Sequence, residues 1–277
     1  MKKLLLAAWF ASLAFAAEPF FFIQISDPQF GMYTGDRGFA QESANLEFAI
    51  AAANRLGPAF VVATGDLVNR PGDAAYIAEY RRIAAKLRPG IPLYNVPGNH
   101  DLGAEPTPAS LAEWRRNFGP DFYTFRVADT AFFVLNSCLM AAPGKVEDEA
   151  ERQARWLAGE LAKAREGGAR RSIVFQHHPF FIRQPDEKDE YFNIPTAIRR
   201  KYLDVLGRGG VTHVFAGHYH RNAAARDGGL EVVTTGPVGK PLGEGSRSGF
   251  RVVIVHDSGV THRFYDFGEL PDHIGIR

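Results

Sequence analysis

The chain has 277 residues, of which 45% are apolar and 12% aromatic, with 32 basic against 31 acidic side chains. That composition is globular, and the length suits one large α/β domain with a well-buried core. Near-even charge and the lack of a basic stripe interleaved with aromatics argue against an electrostatic nucleic-acid-binding surface.

Residues 1–16, "MKKLLLAAWFASLAFA", open with Lys2 and Lys3, continue with an apolar run from Leu4 to Ala14, and carry small residues at Ala14 and Ala16. This is the pattern of a secretory signal peptide with an Ala-x-Ala cleavage site, so export is expected. The run is shorter than the roughly 20 residues a membrane-spanning helix needs, so no span is expected after cleavage. Without Lys2 and Lys3 the balance is 30 basic against 31 acidic residues. Cys138 is the only cysteine, so no internal disulfide can form. Its place after the apolar run "AFFVLNS" favours a buried small hydrophobe over a catalytic thiol.

Short apolar runs then alternate with helical patterns. Strands are predicted at 20–26, 60–64, 93–96, 132–136, 173–176 and 213–217. Helices are predicted at 41–56, 73–87, 110–117, 148–166 and 195–207. After Gly217 the pattern is strand only, at 230–235, 249–256 and 262–265. The charged stretch "RQPDEKDEYF" (183–192) is the best candidate for a mobile loop. With no long linker and no repeat, residues 17–277 read as one domain of sheets with helices outside.

Position carries the functional signal. Asp27 follows the first strand, Gly65-Asp66 the second, "GNHD" (98–101) the third, His177-His178 the run "SIVFQ", and "GHYH" (217–220) the run "VTHVFA". Ligands bind beyond the carboxyl ends of strands in open α/β sheets, so these clusters describe one cleft lined by N and O donors. Singly each is weak, since Gly-Asp is a common turn and a lone histidine is usually packed. In an extended chain His218 and His220 would project to the same side. Six good donors without a thiolate exceed the needs of one tetrahedral zinc. They suit two cations, able to activate a water and stabilise both oxygens of an in-line displacement at phosphorus. His100 remains for proton transfer to the leaving group, with Asp101 beside it to orient the ring. A histidine that only positions the phosphate is the alternative reading. Pro28 disfavours the helical region for Asp27, which is therefore expected to be extended.

Asp27, "GD" (65–66), "GNHD" (98–101), His177 and "GHYH" (217–220) together resemble the calcineurin-like metallophosphoesterase superfamily. Similarity is greatest to its calcineurin-like phosphoesterase domain-containing branch, in "DPQFG" (27–31), "LNS" (135–137), "VFQH" (174–177), "YFN" (191–193) and "GHYHRNA" (217–223). The resemblance implies an α/β fold, a four-layer α/β/β/α sandwich of two mainly mixed sheets flanked by helices. It further implies Asp66 bridging two metals, with Asp27 and His220 on the first, Asn99, His177 and His218 on the second, and His100 over the phosphate. The superfamily usually has Asp-x-His at its first motif, where this chain has Gln29, an uncertain ligand. Asn69 stands where purple acid phosphatases carry a tyrosine, so a purple iron enzyme is not expected. Tyr191, Asn193, Arg221, Asn222 and His178 are candidates for substrate contact. His213, His256, His262 and His273 read as structural.

The expected activity is metal-dependent hydrolysis of phosphomonoesters, phosphoserine and phosphothreonine among them, by in-line attack of a metal-bound hydroxide. The cofactors are two divalent ions, with manganese, iron and zinc suiting the donor set and magnesium accommodated. The alternatives are a phosphodiesterase acting on cyclic nucleotides or other diesters, and a non-catalytic metal-binding protein. Gln29 motivates the last, because a neutral amide is a poorer donor than imidazole and weakens the first site.

Overall fold

The computed structural model describes residues 18–276; the signal-peptide reading lies outside them. The first sheet joins β1 (Phe20–Ile25), β2 (Val61–Thr64) and β3 (Leu93–Val96) in parallel, with β10 (Gly249–His256) and β11 (Gly259–Asp266) added antiparallel. In the second, β5 (Thr130–Val134), β6 (Arg171–Phe175), β7 (Val211–Ala216) and β9 (Leu230–Thr234) run parallel. The antiparallel edges of that sheet are β4 (Tyr123–Val127) and β8 (Ala223–Asp227).

Strand periodicity decides the layering. In β1, Phe21, Ile23 and Ile25 pack toward α1 (Ala40–Leu56) and α2 (Ala74–Ala84), against Leu46, Ile50, Tyr80 and Ile83. The alternate Phe22 turns the other way, into an apolar cluster shared with Phe132, Phe175 and Phe215 of the second sheet. Phe22 stacks on Phe60 at 4.7 Å and meets Phe132, Phe175 and Phe215 edge-on at 5.4–5.8 Å. A third cluster seats Leu157 and Leu161 of α6 (Glu147–Glu166) and Leu203 and Leu206 of α7 (Thr196–Arg208) on the second sheet. The result is the four-layer α/β/β/α order.

Element boundaries moved by a few residues. Asp73 lies outside α2 as its N-cap, accepting the Ala75 and Tyr76 N–H groups. Thr107 caps α4 (Pro108–Phe118) in the same way, accepting from Ser110. The edge strands β4 and β8 and the short helices α3 (Asn99–Leu102) and α5 (Cys138–Ala141) were not read from the sequence. Cys138 is buried on α5, and burial pushes its thiol pKa up, as a packing residue requires. His213 and His262 approach the two oxygens of Glu231, at 3.6 and 3.5 Å, away from the strand ends.

The stretch 183–192 is not a loose loop. The Glu187 carboxylate accepts N–H bonds from Ile182, Arg183 and Gln184 and from the Asn193 amide. Buried Arg199 of α7 donates to the carbonyls of Pro185, Glu187 and Ile194. Glu187 and Asp189 satisfy backbone N–H groups, so the charge here includes residues that pin the segment. Among the described residues no helix is long and apolar enough to cross a membrane.

Candidate metal centre

The parallel strands of both sheets release their carboxyl ends at one edge, which brings the five sequence clusters together. One donor atom each from Asp66, His177 and His218 lies within 4.8 Å of the others, and the same holds for Asp27, Asp66 and His220. All five side chains are buried, and Asp66 belongs to both groups. Asn99 Oδ1 is 3.1 Å from His177 Nε2, which places it on the His177 side.

Backbone carbonyls set the face each imidazole presents. His177 Nδ1 donates to Thr64 O at 2.9 Å, leaving Nε2 3.2 Å from Asp66 Oδ2. His220 Nδ1 donates to Lys240 O at 2.6 Å, leaving Nε2 3.4 Å from Asp27 Oδ1. His218 is reversed: its Nε2 donates to Tyr191 O at 2.9 Å, so Nδ1 is the free donor. Tying one ring nitrogen in this way fixes the tautomer and leaves the other lone pair available to a metal.

The turns that carry these residues depart from the extended chain expected for them. Asp27, Gln29, Asp66, His218 and His220 all have left-handed backbones, with φ of 48°, 42°, 49°, 66° and 53°. Such conformations cost about 1–3 kcal/mol each and persist where neighbours over-determine them. Here Asp27 N donates to Gly65 O, Gln29 N to Asp66 O, and Gly239 N to Asp27 O. Pro28 does keep Asp27 out of the right-handed helical region, but the inter-loop bonds select the left-handed one. His218 and His220 consequently split between the two donor groups. Two glycines permit the close approach: a Cβ on Gly98 would stand 2.2 Å from Asp66 Oδ1, and one on Gly217 2.0 Å from Ser26 Oγ.

Charge is strongly organised. Burial disfavours an ionised Asp66, yet His177 and its neighbours outweigh that and hold the carboxyl far below its usual range. Burial likewise opposes a charged His177, but Asp66 raises it to about 9. His220 is also raised, because Asp27 outweighs its burial. His218 falls to about 4 through burial and its positive neighbour His177. Two buried carboxylates facing three imidazoles are negative overall once the imidazoles give up their protons, the state in which they can ligate cations.

Gln29 supplies a direct test of fit. Its Nε2 donates to Asn69 Oδ1 at 3.1 Å, while its buried Oε1 has no hydrogen-bond partner. Asn69 is in turn held through Nδ2 by Asp36 at 2.9 Å. An anchored amide with a bare buried oxygen is the arrangement expected of a neutral ligand, so the donor set accommodates divalent cations. The sequence did not single out this supporting role of Asn69. His100 donates its backbone N–H to Asp66 Oδ1 at 2.8 Å, and its ring Nδ1 donates to Asn69 O at 2.8 Å.

Several expected roles are redistributed. Asp101 does not orient His100: its Oδ1 accepts from Leu67 N and Val68 N, and its Oδ2 from Gly98 N. It clamps the Asp66 loop to the "GNHD" loop. Asn193 bonds Glu187, the Lys188 carbonyl and Glu190 N, and Asn222 Oδ1 accepts from Gly236 N and Arg251. Asn193 thus has its whole amide committed and is buried, whereas Asn222 is exposed and has only its oxygen committed. His178 sits beneath the site with its ring 4.3 Å from that of His218. Burial pushes its pKa well down. Ser137 Oγ accepts the N–H of both His177 and His178, a link the motif "LNS" had marked without explaining. Tyr191 is 66% exposed, with its ring 4.8 Å from His218 and its hydroxyl 3.5 Å from Asn99 Nδ2. Arg221 lies on the rim against Tyr219, its Nε donating to Leu242 O.

Residues 22–222 match the family model described as calcineurin-like phosphoesterase. The chain belongs to the calcineurin-like phosphoesterases. It is 37% identical over 269 residues to the serine/threonine-protein phosphatase CPPED1 of Bos taurus, covering 92% of this chain and 86% of that one. The Homo sapiens protein of the same name is 37% identical over 270 residues, with the same coverage. In fold, the chain is similar to a dimetal phosphatase from Danio rerio, at TM-score 0.62 and 16% identity, covering 88% of this chain and 95% of that one. A purple acid phosphatase from yellow lupin aligns at TM-score 0.64 and 14% identity, over 90% of this chain and 53% of that one. The chain is therefore a hydrolase of phosphoric esters, and this calcineurin-like phosphoesterase binds divalent metal, for which the cleft just described offers two groups of candidate ligands.

Proposed function

We propose that the chain is an exported phosphomonoesterase that works with two divalent cations and takes phosphoserine or phosphothreonine as substrate. The observation that carries this reading is the sharing of buried Asp66 by two groups of ligating side chains. Asp27, Asp66, His220 and the Gln29 amide oxygen would hold one cation; Asp66, Asn99, His177 and His218 would hold the other. When bound, such a pair supplies Lewis acidity toward the phosphoryl oxygens and an activated water; manganese, iron and zinc all suit these donors.

The remaining steps belong to the chain's own groups. Nδ1 of His100 is tied to the Asn69 carbonyl, so Nε2 is its free nitrogen and carries the proton given to the leaving alkoxide. The Tyr191 hydroxyl and the Arg221 guanidinium stand on the rim, where they contact the phosphate or the leaving group. Asp101 and Ser137 hold the loops that keep these groups in place. The name of the CPPED1 relatives supports serine and threonine esters. The run of residues 1–16 supports export.

The test is turnover by the exported protein, whose first residue should be Ala17. It is offered an aryl monoester, an aryl diester and a phosphoserine peptide, with bound metal measured in parallel. Monoester turnover that depends on metal is expected. Diester preference reassigns the substrate class, and no turnover at full metal occupancy sinks the enzymatic reading.

Gln29→His provides a finer check. Imidazole is the better donor, so the exchange of the first metal against a chelator should slow by about tenfold or more. An unchanged exchange rate would place the amide outside the coordination sphere.

A further inference from the structure

The pinned rim segment encloses a pocket of its own. Ile182, Arg183, Glu187, Glu190, Phe192 and Tyr219 line a cavity of about 130 Å³. Phe192 is the wall it shares with the metal centre. Its ring centre lies 5.7 Å from that of His218 and 5.1 Å from that of Tyr219. One aromatic ring therefore separates the pocket from a cation-facing imidazole. In an extended peptide, at about 3.3 Å per residue, a side chain entering it would lie within about three positions of the phosphorylated residue.

The chemistry of the walls selects the guest. The charged residues of its lining are Glu187 and Glu190 and one arginine, Arg183. Glu187 is ionised: burial opposes this, but its N–H donors hold the carboxyl below the usual range. Glu190 has its backbone N–H bound by Asn193 Oδ1, while its exposed carboxylate has no ion pair among the described residues. Phe192 adds aromatic surface, which attracts a cation held against it, and Tyr219 already holds the Arg221 guanidinium against its ring at 5.0 Å. The pocket is also preformed, because Arg199 fastens the segment through three carbonyls, so little ordering opposes binding.

We propose that this pocket receives a lysine or arginine side chain of a phosphopeptide, one to three residues from the phosphorylated position. The inference rests on the phosphomonoesterase reading and adds sequence selectivity to it. An exposed ion pair and a cation–π contact together account for a preference of about tenfold.

The experiment uses phosphoserine peptides bearing arginine, alanine or glutamate at each position from three before to three after the phosphorylated residue. For the wild type, arginine at one of these positions should lower KM about tenfold relative to alanine, with kcat unchanged. In Glu190→Gln the arginine-to-alanine ratio should fall to near one, and in Glu190→Arg the preference should turn toward glutamate. Equal kcat/KM for all three residues at every position overturns the proposal, as does an arginine preference that survives Glu190→Gln. If the wild type fails on para-nitrophenyl phosphate as well, the phosphatase reading has failed separately. Calorimetric binding of the arginine and alanine peptides then decides the pocket by the same ratio.

Discussion

In the Asp66→Asn protein, kcat/KM for an aryl phosphate is expected to fall by about 10³-fold, and bound metal should be lost from both positions. The substitution keeps the volume of the side chain, so the fold should persist. What it removes is the one negative charge common to both donor groups. A second readout comes from the metal-stripped protein. Burial alone would push His177 down, yet Asp66 holds it at about 9. A folded-state pKa above the ordinary value of about 6.5 means that the interaction stabilises the fold fully below that pH. That stabilisation is lost as pH rises through about 9. Without the Asp66 carboxylate, burial acts with much less opposition, and the His177 ring should titrate several units lower by NMR. Retained metal together with a ring still titrating near 9 would refute the shared-ligand role.

For His100→Ala the expected signature is a split between leaving groups. With a phosphoserine peptide, kcat should drop by about 10²–10⁴-fold, the usual contribution of a positioned acid. With para-nitrophenyl phosphate the drop should be about tenfold or less, because nitrophenolate departs without a proton. Metal content should not change, since the structure commits the backbone N–H of His100, not its ring, to Asp66. Among the described residues the ring's one hydrogen bond is to the carbonyl of Asn69, which fixes its tautomer and leaves Nε2 as the free nitrogen. An equal loss on both substrates would assign His100 to holding the phosphate instead.

Much of the site was legible because donor type and strand-end position are local properties. Asp27, Asp66, Asn99, His177, His218 and His220 each follow an apolar run, and parallel strands deliver such ends to one edge. The limits of that reading are equally physical. Asp101, Asn193 and Asn222 lie beside the motif residues in sequence and looked available for chemistry. The structure gives Asp101 to backbone N–H groups of the Asp66 loop, Asn193 to a carbonyl of its own segment, and the side-chain oxygen of Asn222 to Gly236 N. Whether a polar side chain is free depends on which backbone groups lack partners nearby, and this demand exists only after the chain has folded. Edge strands β4 and β8 escaped notice for a related reason. "YTFRV" and "AAARD" are short and half-exposed, and they become strands by pairing with β5 and β9.

By itself, the sequence determined the alternation of strands and helices and a set of O and N donors without a thiolate. Those follow from side-chain chemistry and from periodicities of two and 3.6 residues, which need no long-range contact. The family resemblance already implied that Asp66 stands between two donor groups and that His218 and His220 part company. Tertiary structure alone decided the left-handed turns that achieve this and the bare oxygen of the Gln29 amide. Each depends on contacts far apart in the chain, such as the bond of His218 N to Asp27 across 191 residues. Left-handed turns at the five site residues exist only because such contacts hold them, so no local pattern announces them.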